Sequence, residues 1–190
     1  MNPYKHVTDI KLRKLTNAQK ELQKNFIQLN QKKEMYDISV KELCLHTKVA
    51  RSTFYSYYNN VVELKEEIEN QMVCSLIRLN QNVISLSTDE QIEGDFFLTT
   101  REYILENREA FQCFLISEPN ISFLTKWKEA IKYHFWERLF KHRDQPNSQL
   151  ILELIATQAI TIFSFWLEHP EEVDTKRINQ LFLETLKILE

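Results

Sequence analysis

The chain has 190 residues, 43% hydrophobic and 27% charged, with a net charge of −3; this excludes a largely disordered polymer and fits an ordinary soluble globular protein. One glycine (Gly94) and four prolines (Pro3, Pro119, Pro146, Pro170) leave few residues for the turns of hairpins and sandwiches, so the expected class is all-α. Three cysteines without a C-x-x-C pair, no leader-like apolar run near the start and no long uninterrupted apolar segment exclude a disulfide scaffold and a membrane span, and point to a cytoplasmic protein.

The patterning predicts about nine helices. The first runs from about Thr8 to Gln31, with Leu12, Leu15, Leu22, Phe26 and Leu29 on one face. The second opens at Ser39, where Ser39 and Glu42 have the spacing of a capping box, and runs to Thr47. A short third covers Arg51 to Tyr57. The fourth is capped by Asn60, carries Glu63, Glu66 and Glu67 near its positive end, and reaches about Ile84. After a polar link come a fifth from Asp89 to Glu106 and a short sixth from Glu109 to Ile116. Pro119 is expected in the first turn of a seventh helix ending near His142. A turn containing Pro146 leads to the eighth, from Gln149 to Glu168. Pro170 then breaks the chain, and a ninth helix capped by Asp174 runs to the end.

The most informative stretch is Ile38 to Leu64. It reads as a helix, a tight turn, a short helix, a second turn and a long helix. Val40, Leu43 and Cys44 form an inner face, Val49 plugs the turn, and Phe54, Tyr58 and Leu64 close a three-helix core. This is the plan of a helix-turn-helix, in which one helix braces the unit and the next presents its first residues to base edges. Arg51 can donate two hydrogen bonds to a guanine edge. Ser52, Thr53 and Ser56 suit bases or phosphates, Tyr55 and Tyr57 suit phosphate oxygens, and Lys41 and Lys48 add charge at the same end. Residues 1–59 hold eleven Lys/Arg against five acids, a net +6, while the remainder carries thirteen against twenty-two, a net −9. A basic head on an acidic body suits a chain with one end for a polyanion.

The segment resembles the TetR/AcrR family of bacterial transcriptional regulators. The likeness rests on Ile38-Ser39-Val40, Leu43, Val49 and the run Arg51-Ser52-Thr53-Phe54-Tyr55-Ser56-Tyr57-Tyr58, followed by Asn60 and Leu64. It implies a helix-turn-helix DNA-binding domain at 1–62 and an effector-binding and dimerisation domain at 63–190. The family's DNA contacts would fall on Lys41, Arg51, Ser52, Thr53, Tyr55, Ser56 and Tyr57. Three positions depart from the family pattern: Lys48 stands where the turn usually has glycine, Tyr57 where histidine is usual, and Val61 where a phosphate-binding lysine is usual. A lysine in that turn is strained if its φ is positive.

In the body, the eighth helix is apolar around almost its whole circumference and must be covered on both sides. The expected cover is a second copy, through a four-helix bundle in which Ile151, Ile155, Ile162 and Trp166 of the eighth helix meet Ile178 and Phe182 of the ninth. A small-molecule effector would be lined by Phe97, Tyr103, Phe114 and Trp127, with His134 as polar anchor; the alternative for these aromatics is plain core. No catalytic constellation, metal-ligand spacing or cofactor motif is expected. The expected activity is that of a homodimeric regulator, a repressor by its family likeness, that binds an inverted repeat in double-stranded DNA. The alternatives are control by a protein partner and, from another class, a helical enzyme or interaction scaffold.

Overall fold

A computed structural model describes residues 2–10, 12–86, 89–117, 119–140 and 146–172, and then 174, 177, 180–182 and 184; over 82–86 and 89–95 only the backbone is described. Among the described residues the fold is helical throughout and contains no strand. Its α-helices are α1 (Asn17–Asn30), α2 (Val40–Thr47), α3 (Arg51–Tyr55), α4 (Val61–Leu86), α5 (Asp89–Glu106), α6 (Arg108–Gln112), α7 (Ile121–Phe135) and α8 (Ser148–Glu168). Beyond Pro170, Arg177, Gln180, Leu181, Phe182 and Glu184 are helical, in the region of the expected ninth helix.

The first expected helix is in fact two elements. Lys5–Asp9 forms a single 3-10 turn, residues 12–16 are not helical, and α1 begins only at Asn17. The reason is local. The Thr16 hydroxyl accepts from the Gln19 amide at 3.3 Å, and Gln19 Oε1 accepts from the Thr16 amide at 3.1 Å. This reciprocal capping box stops the helix where the apolar spacing of Leu12 and Leu15 suggested that it continued. At α2 the expected box is half made. Ser39 Oγ accepts from the Glu42 amide at 3.1 Å, but the Glu42 carboxylate pairs with Lys33 instead.

Two helices end in wider turns. Cys113–Ser117 after α6 and Trp136–Phe140 after α7 are both π-helical. Pro119 lies outside α7; Asn120 is the N-cap, its Oδ1 accepting from the Phe123 amide at 3.2 Å. The expected end near His142 lies outside the described residues.

The core is continuous from head to body. Leu22 and Phe26 of α1, Leu43, Phe54 and Leu64 are buried together at the head. Along α4 the same cluster passes through Ile68, Met72, Val73 and Leu76 into an aromatic body containing Phe111, Phe123, Trp127 and Phe163. There α7 packs between α4 and α8. By length and composition α8 could cross a bilayer, yet Leu152, Ile155, Ala156, Ala159, Phe163 and Leu167 are built into this core.

Candidate nucleic-acid interface

The head matches the plan read from the sequence. Leu43, Cys44, Phe54, Tyr58 and Leu64 are buried, and Val40 and Val49 pack half-buried against them. The turn between α2 and α3 shows what replaces glycine. Lys48 sits in the left-handed region at φ 59°, ψ 33°, and the Val49 amide donates back to the Cys44 carbonyl at 3.0 Å. This is a Schellman closure, whose geometry favours glycine. The Lys48 side chain is consequently directed to solvent at the exposed end of the motif.

α3 is anchored by one residue and presents the rest. Phe54 is fully buried, its ring 5.6 Å from that of Tyr58 and 5.5 Å from that of Tyr55. Arg51, Ser52, Tyr55 and Ser56 are exposed, while Thr53 is half-buried. Ala50 precedes the helix and makes no side-chain cap hydrogen bond to its first amides. The Ser56 hydroxyl donates to the Thr53 carbonyl at 2.7 Å, which orients it along the helix end. α3 closes at Tyr55, two residues before the expected end. Tyr57 therefore lies in the following turn, half-buried with its ring 6.2 Å from that of Tyr58, rather than on the presented face.

Lys41, Lys48 and Arg51, from α2, the turn and α3, line one open groove of about 440 Å³ with Cys44, Leu45, Val49 and Ala50. Sequence reading missed Leu45, which stands exposed among these cations. Its position gave no signal, because an apolar residue on the second helix reads as core until the neighbouring faces are known.

The second turn holds the unit to α4. Asn60 Oδ1 accepts from the Glu63 amide at 2.9 Å, the expected cap. Glu63 Oε2 accepts from the Asn59 side chain at 2.9 Å. The Tyr58 hydroxyl donates to Glu67, and Gln19 of α1 donates to the same hydroxyl at 3.4 Å. Burial, together with the Glu67 carboxylate, pushes the Tyr58 hydroxyl well above the usual phenol range. It therefore stays a neutral donor that ties the turn after α3 to α1 and α4.

The aromatics assigned to an effector are packed against one another. Phe97 stacks on Phe163 at 4.7 Å, and Trp127 stacks on Phe163 at 5.8 Å. Phe114 lies 5.5 Å from Phe123, and Tyr103 is half-buried at 5.9 Å from Phe111. His134 is buried against Phe96 at 5.1 Å, and burial, aided by the nearby Arg138 charge, pushes its pKa down to about 3. Beside His134, Trp127 and Asn80 is a cavity of about 10 Å³, room for about one water molecule.

The residues expected at a dimer interface divide. Ile155, Trp166 and Phe182 are taken up by the chain's own core, Ile151 and Ile162 are half-buried, and Ile178 lies outside the described residues. The apolar stripe left open on α8 is Leu150, Leu154 and Phe165, at 59%, 48% and 49% exposure, with Leu181 open nearby in sequence beyond Pro170. The helical period was read correctly, but which side faces inward depends on α4, α5 and α7, which sequence spacing cannot place.

No protein-family model and no curated protein matches the sequence. Solved structures do match in fold. A TetR-family transcriptional regulator from Syntrophomonas wolfei aligns with a TM-score of 0.72 at 13% identity, covering 90% of this chain and 94% of that one. The fatty acid degradation regulator FadR from Bacillus halodurans aligns at 0.70 and 13% identity, covering 90% and 97%. The dihydroxyacetone kinase operon activator DhaS aligns at 0.58 and 21% identity, covering 91% and 94%. The chain has the all-helical fold of these transcriptional regulators, with a helix-turn-helix head and a helical body.

Proposed function

We propose that this chain is a cytoplasmic, DNA-binding transcriptional regulator of the TetR/AcrR type, with a DNA-binding domain at 1–62 and an effector and dimerisation domain at 63–190. The observation that carries the reading is the division of labour on α3. Phe54 alone is buried, while Arg51, Ser52, Tyr55 and Ser56 stand in solvent beside Lys41 and Lys48. A helix held by a single internal anchor and polar elsewhere is free to enter a major groove. Arg51 and Ser52 would then read base edges; Lys41, Lys48 and Tyr55 would hold phosphates. Thr53 and Tyr57, half-buried, would contribute at the margin.

The operative form is a homodimer. Leu150, Leu154 and Phe165 form an apolar stripe on a helix whose other side is already core, and a second copy would cover it about a two-fold axis. Two heads would then meet successive major grooves roughly 34–36 Å apart, on an inverted repeat. Repression is the proposed mode of action.

Two modes of control divide on the body. A small-molecule effector held by these residues would have to part the stacks of Phe97, Trp127 and Phe163, since the described space beside His134 admits about one water. The packing of these described aromatics against one another supports the second mode, a protein partner acting on the acidic body.

Selection of bound sequences from a random duplex pool tests the function. The expected result is an inverted repeat whose log affinity falls linearly with log salt, because cations at the head release phosphate counterions. Recovery of no preferred sequence, or an affinity indifferent to salt, would sink the reading and leave the helical scaffold or enzyme in its place.

A further inference from the structure

The first described residues of the chain, which precede the three-helix head, lie chiefly along α7, with the 3-10 turn also touching α4. Asn2 is buried; its Nδ2 donates to the Tyr133 carbonyl at 3.0 Å and to Glu137 Oε1 at 2.9 Å, and its Oδ1 accepts from the Tyr4 amide at 2.9 Å. The Tyr4 ring lies 5.7 Å from the Lys132 ammonium, and His6 Nε2 meets Glu129 Oε2 at 3.0 Å. Val7 is buried beneath the 3-10 turn. Glu129, Lys132, Tyr133 and Glu137 follow one another at helical spacing, so the segment follows a single stripe along α7 into its π-helical end. The Ile10 carbonyl then accepts from Cys74 Sγ of α4 at 3.1 Å, a few residues before the Thr16 cap of α1.

The opposite end of α7 is tied to α4, the helix that leads out of the head. Glu69 of α4 accepts from Asn120, Ser122 and Lys126 at 2.6, 2.8 and 2.8 Å. α7 is thus held at its start to α4, which continues from the recognition unit, and at its end to the segment that continues into α1. Its third neighbour is α8, joined through Lys128 and Lys132 to Glu153. A shift of α7 cannot leave the head where it was unless one of these ties breaks.

We infer that residues 2–9 are a clasp that transmits displacement of α7 to α1, and so sets the orientation of the DNA-binding head. Asn2 and Val7 are its positioning residues, because they are the two buried side chains of the segment. Residues on the outer surface of α7 or α8 that bind a partner would reach the head by this route, in addition to the route along α4. The functional half of the inference rests on the regulator reading; the mechanical half does not.

The test is hydrogen exchange on the full chain, comparing the wild type with Asn2→Ala/Val7→Asp and with a chain lacking residues 2–9. A clasp predicts that amides of α1 and of the last turns of α7 exchange about tenfold faster, while those in the middle of α8 keep their rates, because only a local tie is lost. In parallel, affinity for the selected duplex should change by about threefold or more with an unchanged salt slope, since no phosphate contact is touched. Uniform acceleration in every helix would show a merely stabilising role and overturn the inference, as would unchanged rates. Faster exchange with unchanged affinity would overturn the coupling. Failure of the wild type to bind any duplex would remove the regulator reading, and the exchange pattern alone would then decide the clasp.

Discussion

The carboxylate of Glu69 and the ammonium of Lys126 lie 2.8 Å apart across the contact of α4 with α7, and the glutamate side chain is only 3% exposed. A buried carboxylate is costly unless its lone pairs are filled, and here Asn120, Ser122 and Lys126 fill them while Lys65 stands 3.6 Å away. Burial pushes the carboxyl up, but the hydrogen bonds from Lys126, Asn120 and Ser122 and the Lys126 charge outweigh it and hold it below the usual carboxylate range.

Glu69→Ala is expected to cost about 2–3 kcal/mol, less than the ~3–5 kcal/mol typical of breaking a buried pair, because Lys126 keeps 22% exposure and can turn to water. Because the folded-state value is depressed, this stabilisation is complete above the ordinary carboxylate pKa and disappears as pH falls through the folded value. Urea midpoints measured from pH 7 downwards should therefore decline in the wild type more steeply than in the variant below pH 4.5.

His134 contributes in the same direction by a different route. It is buried neutral, with a pKa of about 3 against 6.5 when free. Between these values the unfolded chain takes up a proton that the folded chain refuses, so stability falls as pH drops below 6.5. His134→Phe should flatten the stability curve over that window while leaving the neutral-pH value within about 1–2 kcal/mol. An unchanged slope would mean that the imidazole is not buried.

Lys48 occupies a left-handed position that costs a side-chain-bearing residue about 1 kcal/mol. Lys48→Gly should therefore raise stability by about 0.5–1 kcal/mol, while removing a cation from the groove that it shares with Lys41 and Arg51. Denaturation should show the gain, and duplex binding should show a weaker affinity with a shallower salt slope. A loss of stability would mean that the lysine stem makes packing contacts that outweigh the backbone strain.

The two arginine and lysine positions at the head should behave differently. Arg51→Ala is expected to relax base preference at one position of each half-site, costing about 1–3 kcal/mol, while Lys41→Ala should weaken all sequences alike and reduce the salt slope by about 1. Binding titrations on matched and mismatched duplexes separate the two. Equal losses on every duplex for both variants would remove Arg51 from base readout.

Leu154→Glu places a charge in the centre of the open stripe of α8 without touching the buried side. Sedimentation should find the wild type dimeric and the variant monomeric, with an unchanged helical spectrum. A dimeric variant would move the interface elsewhere.

The head was legible in the sequence because its signals are local. Ser39 and Asn60 cap the helices that follow them, Phe54 and Tyr58 carry the spacing of an inner face, and Arg51 to Ser56 stand at a helix start. The Thr16–Gln19 box was equally local, but it was hidden by Leu12 and Leu15, whose spacing continues the helical stripe past the true start of α1. In the body, Ile155, Trp166 and Phe182 share the apolar character of Leu150, Leu154 and Phe165.

By itself, the sequence determined the helical class, the order of the elements and the polar run offered by α3, because caps, period and turn residues act over a few positions of chain. Only the tertiary structure decided which side of α8 is core, that Phe97, Trp127 and Phe163 fill their own space, and that Asn2 and Glu69 fasten α7 at its two ends. Those contacts join residues 51 and 131 positions apart. They arise where separate helix faces meet, and no single segment's pattern carries the position of its neighbour.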